Sequence, residues 1–217
     1  MENKPIKRET KAAKKKLLIG LSIVLGLLLI LACFSFIIDY IEGKKSVAGS
    51  EDREVNYNFY PVDFEEDIFK NKEYLELYAD GLVSFKKGSV TIGIDKNTAK
   101  EYGSDTKFIV DMLNFIINGD NDKYNNCFSS TYYQTHTAKD EFTMQMLYDI
   151  KIELASSEKV QGENGSEYTR SIFSVEYKIY RNNGSFRRDI GAGSKRQYMV
   201  LTNQSGEWKI DSVTTVN

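Results

Sequence analysis

The chain has 217 residues, with 29 basic against 31 acidic side chains, two cysteines and one histidine. This length holds one or two domains, and the near-neutral total hides a +5 stretch before Ile38 and a balance of −7 after it, from 22 basic and 29 acidic residues. So acidic a remainder excludes a grip on a phosphate backbone, which draws on clustered Lys and Arg, so no nucleic-acid partner is expected.

Residues 1–16 form a basic tail in which Lys14, Lys15 and Lys16 abut an apolar run. That run, Leu17 to Ile38, is 22 residues without a charge. At a rise of roughly 1.5 Å per residue it reaches about 33 Å, enough to cross a hydrocarbon core of about 30 Å. Lysines before it, and Asp39 and Glu42 after it, predict a cytoplasmic N-terminus and an extracellular C-terminal domain at the cell membrane. A cleaved signal peptide fits less well, because its apolar stretch is shorter and Ser46-Val47-Ala48 lies ten residues past Ile38. Leu29-Ile30-Leu31-Ala32-Cys33 resembles a lipobox, but the apolar run continues through Phe34 and Ile38, where a processed lipoprotein turns polar. Either outcome leaves the domain tethered to the bilayer.

Residues 39–55, with Gly43, Gly49, Ser46 and Ser50, read as a linker. In the lead-in, 56–103, the spacing of Asp63 and Glu66 predicts a short helix. Val83 to Ile94, around Lys86-Lys87-Gly88-Ser89, predicts a small hairpin. The domain of 104–217 opens on a helix that Ser104 can cap, with an apolar stripe of Phe108, Ile109, Met112, Leu113, Ile116 and Ile117, stopped by Asn118-Gly119. A second helix is expected near Asp122–Phe128. Thr137 and Asp140, spaced as a capping pair, predict a third carrying Phe142, Met146 and Leu147. Apolar residues then recur every second position at Ile150–Leu154 and Phe173–Ile179. Asn183-Gly184 predicts a tight hairpin to a strand at Phe186–Ile190, and Tyr198–Thr202 and Trp208–Val213 form a last pair. The sum is an α+β fold: helices packed on a curved antiparallel sheet of about five strands.

The long helix, the acidic-turn helix within Asn118–Phe128, the strand meander and the closing Gly206-Glu-Trp-Lys-Ile-Asp-Ser212 resemble the nuclear-transport-factor-2-like (cystatin-like cone) superfamily. The resemblance covers about Ser104–Asn217. It implies a sheet curled around the long helix, enclosing an apolar conical pocket that serves as active site in some members and as a ligand or partner site in others. Membrane-tethered members include assembly factors of bacterial type IV secretion and conjugation channels. An exported domain without a disulfide pair, rich in Lys, Asn, Tyr and Ile, points to a low-GC Gram-positive bacterium.

No catalytic, cofactor-binding or metal-ligating residue is assigned, and no cofactor is expected. His136, the sole histidine, falls in an expected loop, where a solvated ring is favoured over a general base. One His and one outer cysteine are too few for the usual zinc spacings. Cys127 reads as a small buried hydrophobe. Tyr124, Tyr132, Tyr133 and Tyr148 read as core aromatics that could also line a pocket or meet a partner. Arg187, Arg188, Lys195 and Arg196 read as a solvated strand edge, with anionic lipid or an acidic partner as the alternative. Asn164, Asn183 and Asn203 sit in Asn-x-Ser sequons that turn chemistry explains. The expected function is a non-enzymatic membrane-anchored scaffold or protein-interaction domain, as a homo-oligomer or within an envelope assembly. The alternative is a pocket that binds or modifies a small apolar ligand, with His136 as its only candidate base.

Overall fold

The computed structural model describes residues 57–78, 81–162 and 165–215. The tail, the expected span Leu17–Ile38 and the linker lie outside the described residues. Among those described, no helix is long and apolar enough to cross a membrane.

A 3-10 turn, Ile68–Lys70, leads into helix α1 (Lys72–Tyr78) and then strands β1 (Val83–Lys87) and β2 (Val90–Ile94). A further 3-10 turn, Ala99–Tyr102, precedes α2 (Ser104–Ile117) and α3 (Asn121–Asn126). Four strands follow: β3 (Leu147–Gln161), β4 (Glu167–Ile179), β5 (Gln197–Thr202) and β6 (Lys209–Thr215). They form one six-stranded sheet in the order β2-β1-β3-β4-β5-β6.

The α+β class is as expected, but the sheet is mixed and larger than about five antiparallel strands. The hairpin of the lead-in joins it, and β1 runs parallel to β3, with Phe85 opposite Ile152. A parallel pair needs a long crossover. Here α2, α3 and the loop to residue 146 supply it. Register shifts at Tyr148/Lys151, Leu154/Ser156 and Val200/Leu201 mark bulges, which bend and twist a strand. At the first, Asp149 takes φ 49° and its carboxylate meets Lys151 at 2.9 Å and Lys178 at 3.0 Å.

All but one residue of the stripe predicted for α2 is buried: Ile109 and Met112 are fully covered, Leu113, Ile116 and Ile117 almost so, in one core with Phe85, Ile152, Phe173, Val175, Leu201 and Ile210, while Phe108 is partly buried against it. Each such side chain contributes about 1.5–3 kcal/mol of burial. The start of the helix differs from expectation. Gly103, at φ 134°, holds the cap position, leaving the Ser104 hydroxyl to accept from the Trp208 indole at 2.9 Å. Asp105, buried in the first turn, accepts from the Ser171 hydroxyl at 2.7 Å and so ties the helix to β4.

Three expected elements fail, each because side chains or distant backbone satisfy groups that a regular element would have paired. The helix sought at Asp63 starts later, at α1, where Asn71 accepts from the Tyr74 amide; the Asp63 carboxylate accepts from Glu65 two residues on. No helix forms after Thr137. Instead Gln145 N donates to Ile117 O (3.2 Å), Lys139 N donates to Asn125 Oδ1 (2.8 Å), and Asn121 Nδ2 donates to the carbonyls of Lys139 and Asp140, pinning the segment to the α2–α3 corner. Nor does Phe186–Ile190 form a strand. The buried Asn182 amide donates to the carbonyls of Arg187 (3.0 Å) and Ile190 (2.9 Å), folding 182–190 into a loop.

Gly119 lets the α2–α3 corner close. Its φ is 64°, and a Cβ there would lie 2.9 Å from Met144 N and 3.0 Å from Thr143 C. Gly206, at φ 90°, has nothing within 4 Å of such a Cβ. Gly119→Ala is therefore expected to cost about 2–4 kcal/mol, and Gly206→Ala about 1 kcal/mol from its conformation alone. Urea unfolding of the two variants measures the difference.

Candidate functional site

A cleft of about 1020 Å³ opens between α2, α3, side chains of β4, β5 and β6, and two loops, 128–141 and 183–189. Met112, Ile116 and Met199 form its floor, with 0 %, 1 % and 5 % of their surfaces exposed. An entering group therefore meets what stands above them.

An aromatic series stands there. The Tyr124 ring packs edge-on against Phe128, Phe142 and Phe186 at 5.1, 5.6 and 5.3 Å. Phe128 continues to Tyr132 at 4.4 Å, and Tyr132 stacks on His136 at 4.2 Å with 11° between planes. Local sequence explains the series. The 3-10 turn Tyr132–Gln134, begun by the Tyr132 amide donating to Ser129 Oγ, carries the tyrosine back over Phe128. Tyr133 donates its hydroxyl to Asn125 O at 2.7 Å, clamping the turn to α3. Tyr124, Tyr132 and Tyr133 are thus brought together as one wall. Tyr148 is not among them and lines a separate groove with Leu77 and Leu82.

His136 lies exposed on the rim. Its Nδ1 contacts the Thr135 hydroxyl at 2.9 Å and the Tyr132 carbonyl at 3.2 Å, both neutral groups. A general base is normally oriented by a second group, and neither of these partners adds the charge that would activate it.

Next to Phe186 in the chain, and over the Tyr177 ring at 5.8 Å, lies Arg187, and here the expectation of four solvated basic residues is corrected. Arg187 is 8 % exposed and makes a two-pronged pair with Asp189, Nε to Oδ1 and Nη2 to Oδ2, each 2.6 Å. Burial opposes its charge, yet the Asp189 carboxylate and the Tyr177 phenol raise its pKa above the ordinary arginine range. Asp189, also resisted by burial, is held below the usual carboxylate range by the same guanidinium. Tyr177, in the floor, is pushed up by burial. Lys139, with its ammonium 5.3 Å from the Phe186 ring centre, is pushed down by burial and then by Arg187. Arg188 also lines the cleft, whereas Arg196 pairs with Glu176 at 3.5 Å. Tyr177 falls on the buried face expected of its strand, but its place beside Arg187 and the role of Asp189 have no sequence signal, because an Arg-x-Asp pair two residues apart signals nothing until a loop closes it.

Asn183 serves this loop through its side chain. It donates to Thr143 Oγ1 at 2.7 Å, beside the Gln145 amide, which donates to the hydroxyls of Thr143 and Ser185. Gln145 Oε1 is the one buried side-chain acceptor without a partner among the described residues.

Cys127 is buried, as expected, with Sγ 3.3 Å from Lys123 O. Burial pushes its thiol up to about 12. Among the described residues no group of three or more His, Cys, Asp or Glu is placed to hold a metal ion. Comparison with family models, curated proteins and solved structures yields no match to this chain.

Two outcomes follow from these groups. Removing Asp189 strands a buried guanidinium, which costs 3–5 kcal/mol where both partners are fully buried; with the carboxylate half exposed, Asp189→Ala is expected to cost about 1–2 kcal/mol in urea unfolding. The raised Cys127 pKa makes the unfolded chain the more acidic state, so its contribution is complete below pH 9 and lost as pH climbs toward 12. Between pH 8 and pH 10 the parent should lose about 1 kcal/mol more than Cys127→Ala does. Equal losses would show that the thiol is not sequestered.

Proposed function

We propose that this chain is a single-pass membrane protein, anchored by Leu17–Ile38 with its tail in the cytoplasm, whose outer domain is a non-enzymatic interaction module. Its partner places an extended polar segment in the cleft. The carrying observation is the cleft's construction: an open trough whose apolar floor is sealed and whose accessible walls are half-buried tyrosines, a stacked histidine and the Asp189 carboxylate that covers the buried Arg187.

Several features support this over a pocket for a small apolar ligand. Such a ligand gains by covering apolar surface, and Met112, Ile116 and Met199 offer almost none. Tyrosine and arginine held on a rigid frame are instead residues enriched at the energetic centres of protein interfaces, the tyrosine pairing a large contact area with a polar tip. The run from α2 through α3 to a four-stranded antiparallel meander supports the resemblance to the cone superfamily. That resemblance supplies the precedent of tethered domains in secretion and conjugation assemblies. The role proposed for His136 is contact, with its ring extending the Tyr132 platform.

Variants of the full-length chain in its own cells test this. His136→Ala, which keeps the Tyr132 ring and the frame, should lower cellular function by no more than about threefold. Thr137→Glu and Arg188→Glu, exposed on the two loops that line the cleft, should each reduce function at least tenfold with unchanged protein level and membrane fractionation. Loss of function confined to His136→Ala would replace the module with an enzyme.

A further inference from the structure

We propose that Lys139 sets the specificity of the cleft: its ammonium receives one aspartate or glutamate side chain of the segment that binds there. The assignment rests on the reading of the cleft as a partner site, and adds the chemistry by which the segment is chosen. Lys139 lines the cleft from the loop 128–141, and α3 holds its backbone. Its amide donates to Asn125 Oδ1 at 2.8 Å, and its carbonyl accepts from Asn121 Nδ2 and Asn125 Nδ2, each at 2.9 Å. A lysine on a loop ordinarily keeps its charged head in water. This one is half-buried, with the ammonium 5.3 Å from the centre of the Phe186 ring.

No carboxylate answers that charge. Among the described residues Lys139 makes no ion pair. Burial holds its pKa down, Arg187 adds to this, and Asp140 and Asp189 each oppose it by less. Asp189 is not free to turn toward it, since one of its oxygens is on Arg187 Nε and the other on Nη2, both at 2.6 Å. Two cations thus share one carboxylate on a wall partly withdrawn from water, where an uncompensated charge is costly. Arg188, next in the chain and exposed, also lacks an ion pair among the described residues. What this place lacks is a negative charge, in a domain whose balance beyond Ile38 is −7.

The neighbours of Lys139 limit what else the segment carries. Asp140 and Glu141 follow it directly, are exposed and line the same cleft. A second carboxylate beside the first would meet those two, and an acidic tract would be repelled by the domain as a whole. A phosphorylated side chain, with close to two charges, is disfavoured on the same ground. The fit is a lone Asp or Glu between uncharged neighbours, received by an ammonium that is already in place and already half stripped of water.

The test selects random decapeptides displayed on phage against the full-length chain in phosphatidylcholine nanodiscs. Cleft binders are those that Thr137→Trp, which obstructs the cleft without changing its charge, fails to retain. These should share an Asp or Glu at one position, with no second acid beside it. A selected peptide should bind about tenfold more tightly than its Asn or Gln counterpart; Lys139→Met should abolish that difference and Lys139→Arg should keep it. Lys139→Met retains the apolar stem, and its unfolding temperature should be no lower than the parent's. A lower one would show the ammonium to be compensated within the domain and would overturn the assignment. Cleft binders without the acid, or an acid preference unchanged in Lys139→Met, would overturn it and leave the interaction module standing. If no peptide distinguishes the parent from Thr137→Trp, the module falls and the assignment with it.

Discussion

Helix α2 gives almost its whole apolar stripe to one face of the sheet, and both of its ends are fixed by contacts far away in sequence. At the start, Gly103 takes a conformation that admits Asp105 close beneath it, and Asp105 reaches Ser171 on β4. At the other end, the Ile117 carbonyl accepts from Gln145, and Gly119 permits the backbone of 143–144 to pass at contact distance. Those two attachments set where the chain between α3 and β3 can run. That chain, in turn, forms one wall of the cleft.

The other wall is a loop that organises itself through side chains. Asn182 gathers the carbonyls of Arg187 and Ile190, while Asn183 and Ser185 bond to the Thr143–Gln145 segment across the domain. The segment that opens the described chain braces this loop from outside: Tyr60 N donates to Asn182 O at 3.1 Å, and Phe59 and Tyr57 lie over Gly184 and Gly191 where no side chain intrudes. Arg187 is held buried in consequence. A buried ion pair rarely adds net stability, so the value of this one lies in fixing the loop's shape and in presenting a charge at the cleft without letting it swing.

Much of this was legible in the residues. The stripe on α2, the Asn118-Gly119 stop, the alternation along β3 and β4 and the final strand pair all depend on local periodicity, which a sequence carries openly. What was hidden depends on partners remote in the chain. Thr137 and Asp140 have capping spacing, but Asn121 and Asn125 capture the backbone there and no helix starts. Asn183-Gly184 has hairpin chemistry, but Asn182 closes a wider loop first. The parallel β1–β3 pair needed a contact between residues about 67 apart, Phe85 and Ile152, which no local pattern encodes. The cleft is legible in part: three of the four tyrosines singled out line it, and Tyr177 falls on the inward face its strand predicts, while the meeting of Tyr177, Arg187 and Asp189 depends on the assembled sheet and loop.

The proposal that the cleft receives a partner is most directly tested by a photoreactive side chain at Thr135, on the rim beside the Tyr132–His136 stack, in the full-length protein within intact cells. Illumination should give one discrete protein adduct, lost when Arg188→Glu is added and absent when the probe is moved to Ser205 on the far turn. Adducts of equal yield from both positions, or none from Thr135 in cells where the protein functions, would contradict a partner in the cleft.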